Sequence, residues 1–165
     1  MAGFVKTVYD RLTYEVIGAA IDVHKELGPG YPEKVYHEAL MVALDERNIR
    51  AQKEVTFIAE YHGQPVGEFR VDVLVEQAII VELKALDQLD GKCEQQIISY
   101  LTTTGREVGL LLNFGTTSLE KRRCFPPKHV QNNSSYQRRR DAWQSTWLQQ
   151  QNQSVSSVQS VNQET

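Results

Sequence analysis

Two short runs, Phe69-Arg70-Val71-Asp72-Val73-Leu74-Val75 and Ile79-Ile80-Val81-Glu82-Leu83-Lys84, constrain this chain more than any other feature. Val71, Val73, Val75, Ile79, Val81 and Leu83 all stand at odd positions, and residues two apart on an extended chain share a face. Arg70, Asp72, Glu82 and Lys84 stand at even positions, with Leu74 and Ile80 among them. The runs read as the arms of a β-hairpin, one face apolar and the other collecting charge. A solvated strand has no need to gather its charges at one level, whereas a metal site does.

Parity also fixes the register. A two-residue turn at Glu76-Gln77 would pair Val75 with Ala78 and place the two apolar sets on opposite sides. A three-residue turn, Glu76-Gln77-Ala78, pairs Val75 with Ile79 and Val73 with Val81. It sets Asp72 across from Glu82 and Arg70 across from Lys84, with facing Cβ atoms roughly 5 Å apart. The turn has no Gly or Asn, so its local chemistry alone would not have selected it.

A hydrophobic share of 41% suits one globular domain with a buried core. No apolar run approaches the length of a membrane span, and Met1-Ala2-Gly3-Phe4-Val5-Lys6 lacks the apolar core of a signal peptide. Cys93 and Cys124 lack zinc-ligand spacing, which points to a reducing compartment and, by default, the cytoplasm. Residues 1–123 carry 14 Lys/Arg against 19 Asp/Glu, net −5, while residues 124–165 carry 4 against 2, net +2. That acidic body argues against a strong, indiscriminate nucleic-acid binder, since phosphate affinity comes from clustered cations.

Around the hairpin, Thr13 to Leu27 reads as a helix with Val16, Ala20, Val23 and Leu27 on one stripe, Thr13 as N-cap, and Gly28-Pro29-Gly30 as terminator. His24, beside that stripe, reads as a hydrogen-bonded, half-buried side chain rather than a ligand. A second helix runs from Pro32 to about Arg47, with Glu33 in the first turn, where the helix dipole favours a carboxylate. Glu54 to Tyr61 reads as a strand, turning at His62-Gly63 into the next from about Val66. Leu89 to Thr103 reads as a helix ended by Gly105, and Val108 to Asn113 as a strand buried on both faces. The order is α-α-β-β-β-α-β, an α/β fold whose mixed sheet receives its last strand by a helical crossover. Ser118 to Arg123 reads as a helical turn or lead-out, and the Gln-, Ser- and Asn-rich stretch 124–165 as a disordered tail. Within it, Arg138-Arg139-Arg140 reads as a solvated charge run, with a nucleic-acid contact or an address signal as the alternative.

Asp72, nine residues, then Glu82-Leu83-Lys84 places two carboxylates and an ammonium on adjacent strands. Facing carboxylates repel unless a cation lies between them, so the spacing invites a hard divalent ion such as Mg²⁺ or Mn²⁺. Such an ion polarises a phosphate and acidifies bound water, and Lys84 could hold that water or balance developing charge. Each element is weak alone.

Together with the rest of the chain they are specific. Gly30-Tyr31-Pro32-Glu33-Lys34-Val35-Tyr36 matches the GxxExxY signature, and Glu82-Leu83-Lys84 resembles the ELK strand of that family. Gln96-Ile97-Ile98-Ser99-Tyr100-Leu101 resembles its Q-x3-YL helix, and Gly109 to Gly115 its GLL-x-NFG strand. The resemblance spans roughly residues 12–123 and is to the GxxExxY family of the PD-(D/E)XK nuclease superfamily, whose core is αβββαβ. It implies a nuclease-like domain over 1–123, with one extra N-terminal helix before that core. By resemblance Glu33, Asp72 and Glu82 would hold Mg²⁺ or Mn²⁺, Lys84 would be the catalytic lysine, and Gln96 would face the site. Tyr36 and Tyr100, both on apolar stripes, read as supporting residues, and Glu54 has no clear role. The implied activity is phosphodiester hydrolysis of DNA or RNA. The alternative is a non-catalytic module of the same fold that binds nucleic acid or a protein, and a homodimer or partner could supply substrate grip to the acidic body.

Overall fold

The computed structural model describes residues 9–161, with side chains to residue 153; the N-terminus read as leaderless and the end of the tail lie outside these residues. The order is α1 (Asp10–Leu27), α2 (Glu33–Asp45), β1 (Ala51–Tyr61), β2 (Gln64–Val75), β3 (Ile79–Lys84), α3 (Gly91–Thr104), β4 (Val108–Asn113), β5 (Glu120–Cys124), α4 (Lys128–Gln131) and α5 (Ser134–Val161). The strands form one mixed sheet in the order β1-β2-β3-β4-β5. β3 and β4 run parallel, joined by the α3 crossover, and the other neighbours are antiparallel. Among the described residues no helix is long and apolar enough to cross a membrane.

The sheet is covered on both faces. On one, α1 and α2 bring Val16, Ala20, Tyr36 and Leu40 onto Val73, Val75, Ile79, Val81 and Leu83. On the other, α3 brings Cys93, Ile97 and Leu101 onto Leu74, Ile80 and Leu111. Each fully buried aliphatic side chain contributes about 1.5–3 kcal/mol. β4 is buried along its whole length, as its continuous apolar run predicts.

The hairpin register follows parity as far as Val73: Val75 pairs with Ile79, Leu74 with Ile80 and Val73 with Val81. There the simple alternation fails. Val71 packs with the α3-side cluster, opposite to Val73. The break falls at Asp72, where β1 and β2 pair Lys53 with Val73 and Val55 with Val71, and Glu54 between them takes φ +55°. A non-glycine residue held there is strained, and the pairs on either side of it keep one register, so the turn-over of faces comes without an inserted residue. The β2–β3 pairs end at Val73–Val81, so neither the expected Asp72–Glu82 nor the expected Arg70–Lys84 pair is part of the ladder; Arg70 pairs with Thr56 on β1, and Lys84 with Asn113 on β4.

Other expectations also change. α1 starts at Asp10, and Thr13 is no cap; it is buried and its hydroxyl donates to the Tyr9 carbonyl. Residues 120–124 form an edge strand rather than a helical turn. Its arginines are neutralised in place: Arg122 pairs with Glu94 and Glu120, and Arg123 with Asp10.

The stretch expected to be disordered instead forms α4 and the long α5. Three rings hold α5 to the body. Tyr136 is buried and its hydroxyl donates to the Arg106 carbonyl at 3.1 Å. The Trp143 indole donates to the Gly105 carbonyl at 2.8 Å, and Trp147 to the Glu76 carbonyl at 2.8 Å. The Arg106 guanidinium lies 5.3 Å from the Phe57 ring centroid and 5.0 Å from that of Trp143. Gly105, at φ +73°, lets α5 come this close, since a Cβ there would sit 2.4 Å from the Arg140 backbone nitrogen. α5 thus straps the end where β3 and β4 begin, leaving their carboxyl ends open.

Candidate active site

At those carboxyl ends the hairpin ladder gives way to side chains. Asp72 donates its backbone N–H to Glu82 Oε1 at 3.2 Å, and Leu83 donates its N–H to Asp72 Oδ2 at 2.8 Å. Each carboxylate takes the place of a missing strand-to-strand bond. Both are fixed by backbone amides while keeping one oxygen for another partner. Glu82 is 2% exposed. Burial, and then the neighbouring Asp72, push its carboxyl up to about 8.

Lys84 stands over the pair. Its Nζ lies 4.0 Å from Glu82 Oε2 and donates to Gln96 Oε1 at 3.1 Å. Gln96 in turn donates to the Tyr100 hydroxyl at 2.9 Å, and the Tyr100 ring stacks on Phe69 at 4.5 Å. Burial, and then Glu82, raise the Tyr100 hydroxyl above its ordinary range. Four of the residues singled out from sequence, Asp72, Glu82, Lys84 and Gln96, therefore form one hydrogen-bonded and ion-paired chain.

Glu33 opens α2 and shares a pocket of about 470 Å³ with His37, Lys53, Arg70 and Asp72. Its carboxyl is raised by burial and then by Asp72, while Lys84 pulls it the other way. Among the described residues no three His, Cys, Asp or Glu side chains form a group that could hold a metal ion.

His37 was missed in the sequence. One turn beyond Glu33 on α2, its Nε2 donates to the Asp72 carbonyl at 2.9 Å. The i, i+4 spacing from Glu33 was the available signal. Tyr36 supports the same loop: its hydroxyl donates to the Gly28 carbonyl at 2.6 Å, and its ring stacks on Phe114 at 4.7 Å. His24 is hydrogen-bonded, as expected, through Nε2 to the Thr116 carbonyl at 2.9 Å, but it is buried rather than half-buried.

The chain leaving Lys84 is clamped as well. Buried Asn113 accepts from the Leu86 N–H and donates to the Leu86 carbonyl, both at 2.9 Å. A Cβ on Gly115 would lie 2.3 Å from that carbonyl, so only glycine permits the approach.

A five-stranded mixed sheet between two helical layers, with Asp72 of β2 beside Glu82 and Lys84 of β3, is an α/β arrangement of the kind the nuclease-like core has. Residues 10–124 match the family model of the PD-(D/E)XK nuclease superfamily, and the chain belongs to it. No curated protein matches the chain. Solved structures that match include SSO0001, at 16% identity over 84% of this chain and 68% of that one, TM-score 0.47. Another is an alkaline exonuclease (LHK-Exo) from Laribacter hongkongensis, at 12% identity over 96% and 89%, TM-score 0.45.

Proposed function

We propose that this protein is a divalent-cation-dependent nuclease that hydrolyses phosphodiester bonds in DNA or RNA. The observation that carries the reading is the Asp72–Glu82 pair: one carboxylate is buried and raised to about 8 with an ammonium 4.0 Å away. A buried carboxylate beside another is stabilised by a cation between them, so the donor set fits a hard divalent ion. Mg²⁺ commonly keeps several waters and takes only one or two protein carboxylates, which suits a pair better than a cage. Asp72 and Glu82 would hold it, with Glu33 reaching it through water. When bound, such an ion polarises a phosphate and acidifies a coordinated water.

The chain's own groups do the rest. Lys84, steadied by Gln96, holds the attacking water and balances charge developing on the phosphate. His37 fixes the Asp72 backbone, and Asp72 in turn fixes Leu83. Mn²⁺ is the alternative ion. The cytoplasmic assignment is a proposal of the same kind, supported by the buried free thiols of Cys93 and Cys124.

The second reading, a non-catalytic module, is favoured by the net charge of −5 over residues 1–123. The two are separated by a cleavage screen with Mg²⁺ and Mn²⁺ over single-stranded, duplex and flap DNA and RNA. Calorimetry with the ions on wild type and Asp72→Ala goes beside it. Metal binding lost in Asp72→Ala, together with cleavage by wild type, supports the nuclease; absence of both leaves the binding module.

A further inference from the structure

Beyond residue 124 the chain leaves the superfamily match, and there it builds a second cleft. The tip of the β1–β2 ribbon, the end of α3 and the start of α5 enclose about 730 Å³. Tyr61, His62, Thr102, His129, Arg138 and Arg139 line it, with Glu60 as its one carboxylate.

Three features set it apart from a solvated charge run. First, its arginines have no carboxylate among the described residues: Arg138 donates to the Ser135 hydroxyl at 3.1 Å, Arg139 to the Thr102 carbonyl at 3.1 Å, and buried Arg139 Nε has no hydrogen-bond partner. The next residue, Arg140, is by contrast paired with Asp141. Second, Tyr61 is 66% exposed and lies flat on the His62 ring, 4.1 Å between centroids and 12° between planes. Third, the cleft sits on an otherwise acidic body, where a concentration of cations is conspicuous. Unspent guanidinium groups beside an open ring platform suit a chain of phosphates with unstacked bases. A duplex offers the phosphates but hides the base faces. The same helix serves both places: Gln96 beside Lys84 and Thr102 in the cleft are about 9 Å apart along α3.

We propose that this cleft binds single-stranded nucleic acid and holds the strand presented at the Asp72–Glu82–Lys84 centre. The role as substrate clamp rests on the nuclease reading, whereas the binding itself does not. The cleft also supplies in cis the grip that the acidic body lacks.

The test is fluorescence anisotropy on the full chain, with chelator present to prevent cleavage, using labelled oligo-dT, oligo-U and a duplex of equal length. The single strands should bind more tightly than the duplex. Tyr61→Ala should weaken them roughly five- to hundredfold, the range for loss of one stacked base. Arg138→Ala should weaken binding and flatten the slope of log affinity against log salt by about one. Both residues are exposed, so melting temperatures should stay at the wild-type value. Wild-type affinity in both variants, duplex binding as tight as single-strand binding, or no binding at all overturns the clamp. A protein that cleaves yet ignores both substitutions loses the cleft's role and keeps the nuclease reading; one that binds as expected yet cleaves nothing keeps the single-strand cleft and loses the nuclease reading, and with it the clamp role.

Discussion

Glu82 Oε1 accepts the backbone N–H of Asp72 at 3.2 Å, so the buried carboxylate of β3 is aimed by the strand opposite it. This ties the protonation of Glu82 to the integrity of the hairpin. Burial and Asp72 raise its carboxyl from the ordinary 4.5 to about 8. A raised carboxylate favours the folded state when protonated. In the metal-free protein the contribution of Glu82 to stability should therefore be fully present below about pH 4.5 and be lost as pH rises through about 8. A divalent cation should counter the loss, so Mn²⁺ should raise the melting temperature more at pH 8 than at pH 5. In Glu82→Gln both the pH slope and the response to the ion should shrink, as thermal melts across pH would show.

Lys84→Ala should keep the ion and lose the chemistry. Loss of a positioned charge of this kind costs about 10²–10³ in rate. Calorimetry with Mn²⁺ should give a wild-type affinity while a cleavage time course falls by that factor.

His37 offers a subtler probe, because its ring bonds the backbone carbonyl of Asp72 rather than its carboxylate. Removing a partner that orients a metal ligand costs about 10–100-fold in metal affinity or activity. His37→Ala should show that loss with a stability change of about 1 kcal/mol. His37→Gln, which retains a donor, should recover most of the activity.

Gly105→Ala tests the strap. The residue is at φ +73°, and the added methyl would meet the backbone of Arg139 and Arg140 at 2.6 and 2.4 Å. α5 must move, at a cost of about 1–3 kcal/mol. Urea unfolding should report the loss, and limited proteolysis should cut α5 sooner than in wild type.

Much of this was legible because the signals were local. Odd-position valines and isoleucines forced the odd turn and hence Val75 opposite Ile79, and Cys93, Ile97 and Leu101 marked the inner face of α3. What escaped depended on distant partners. Lys121-Arg122-Arg123 looks like a polar lead-out until Glu94 and Asp10, remote in sequence, neutralise its arginines. The switch of faces at Asp72 lies beside the positive-φ Glu54 of the neighbouring strand, which no local pattern in β2 reveals. α5 is polar over most of its length, and composition suggested disorder. Yet Tyr136, Trp143 and Trp147 stand seven and four residues apart, a helical stripe too sparse to register as periodicity but sufficient to dock.

Asn113 grips both backbone groups of Leu86, and Gly115 makes room for that grip, so the segment after Lys84 has no slack. An arriving ligand meets an ammonium that is already seated. The work of ordering that corner is done once, while the polypeptide acquires its shape, and need not be repeated at every encounter.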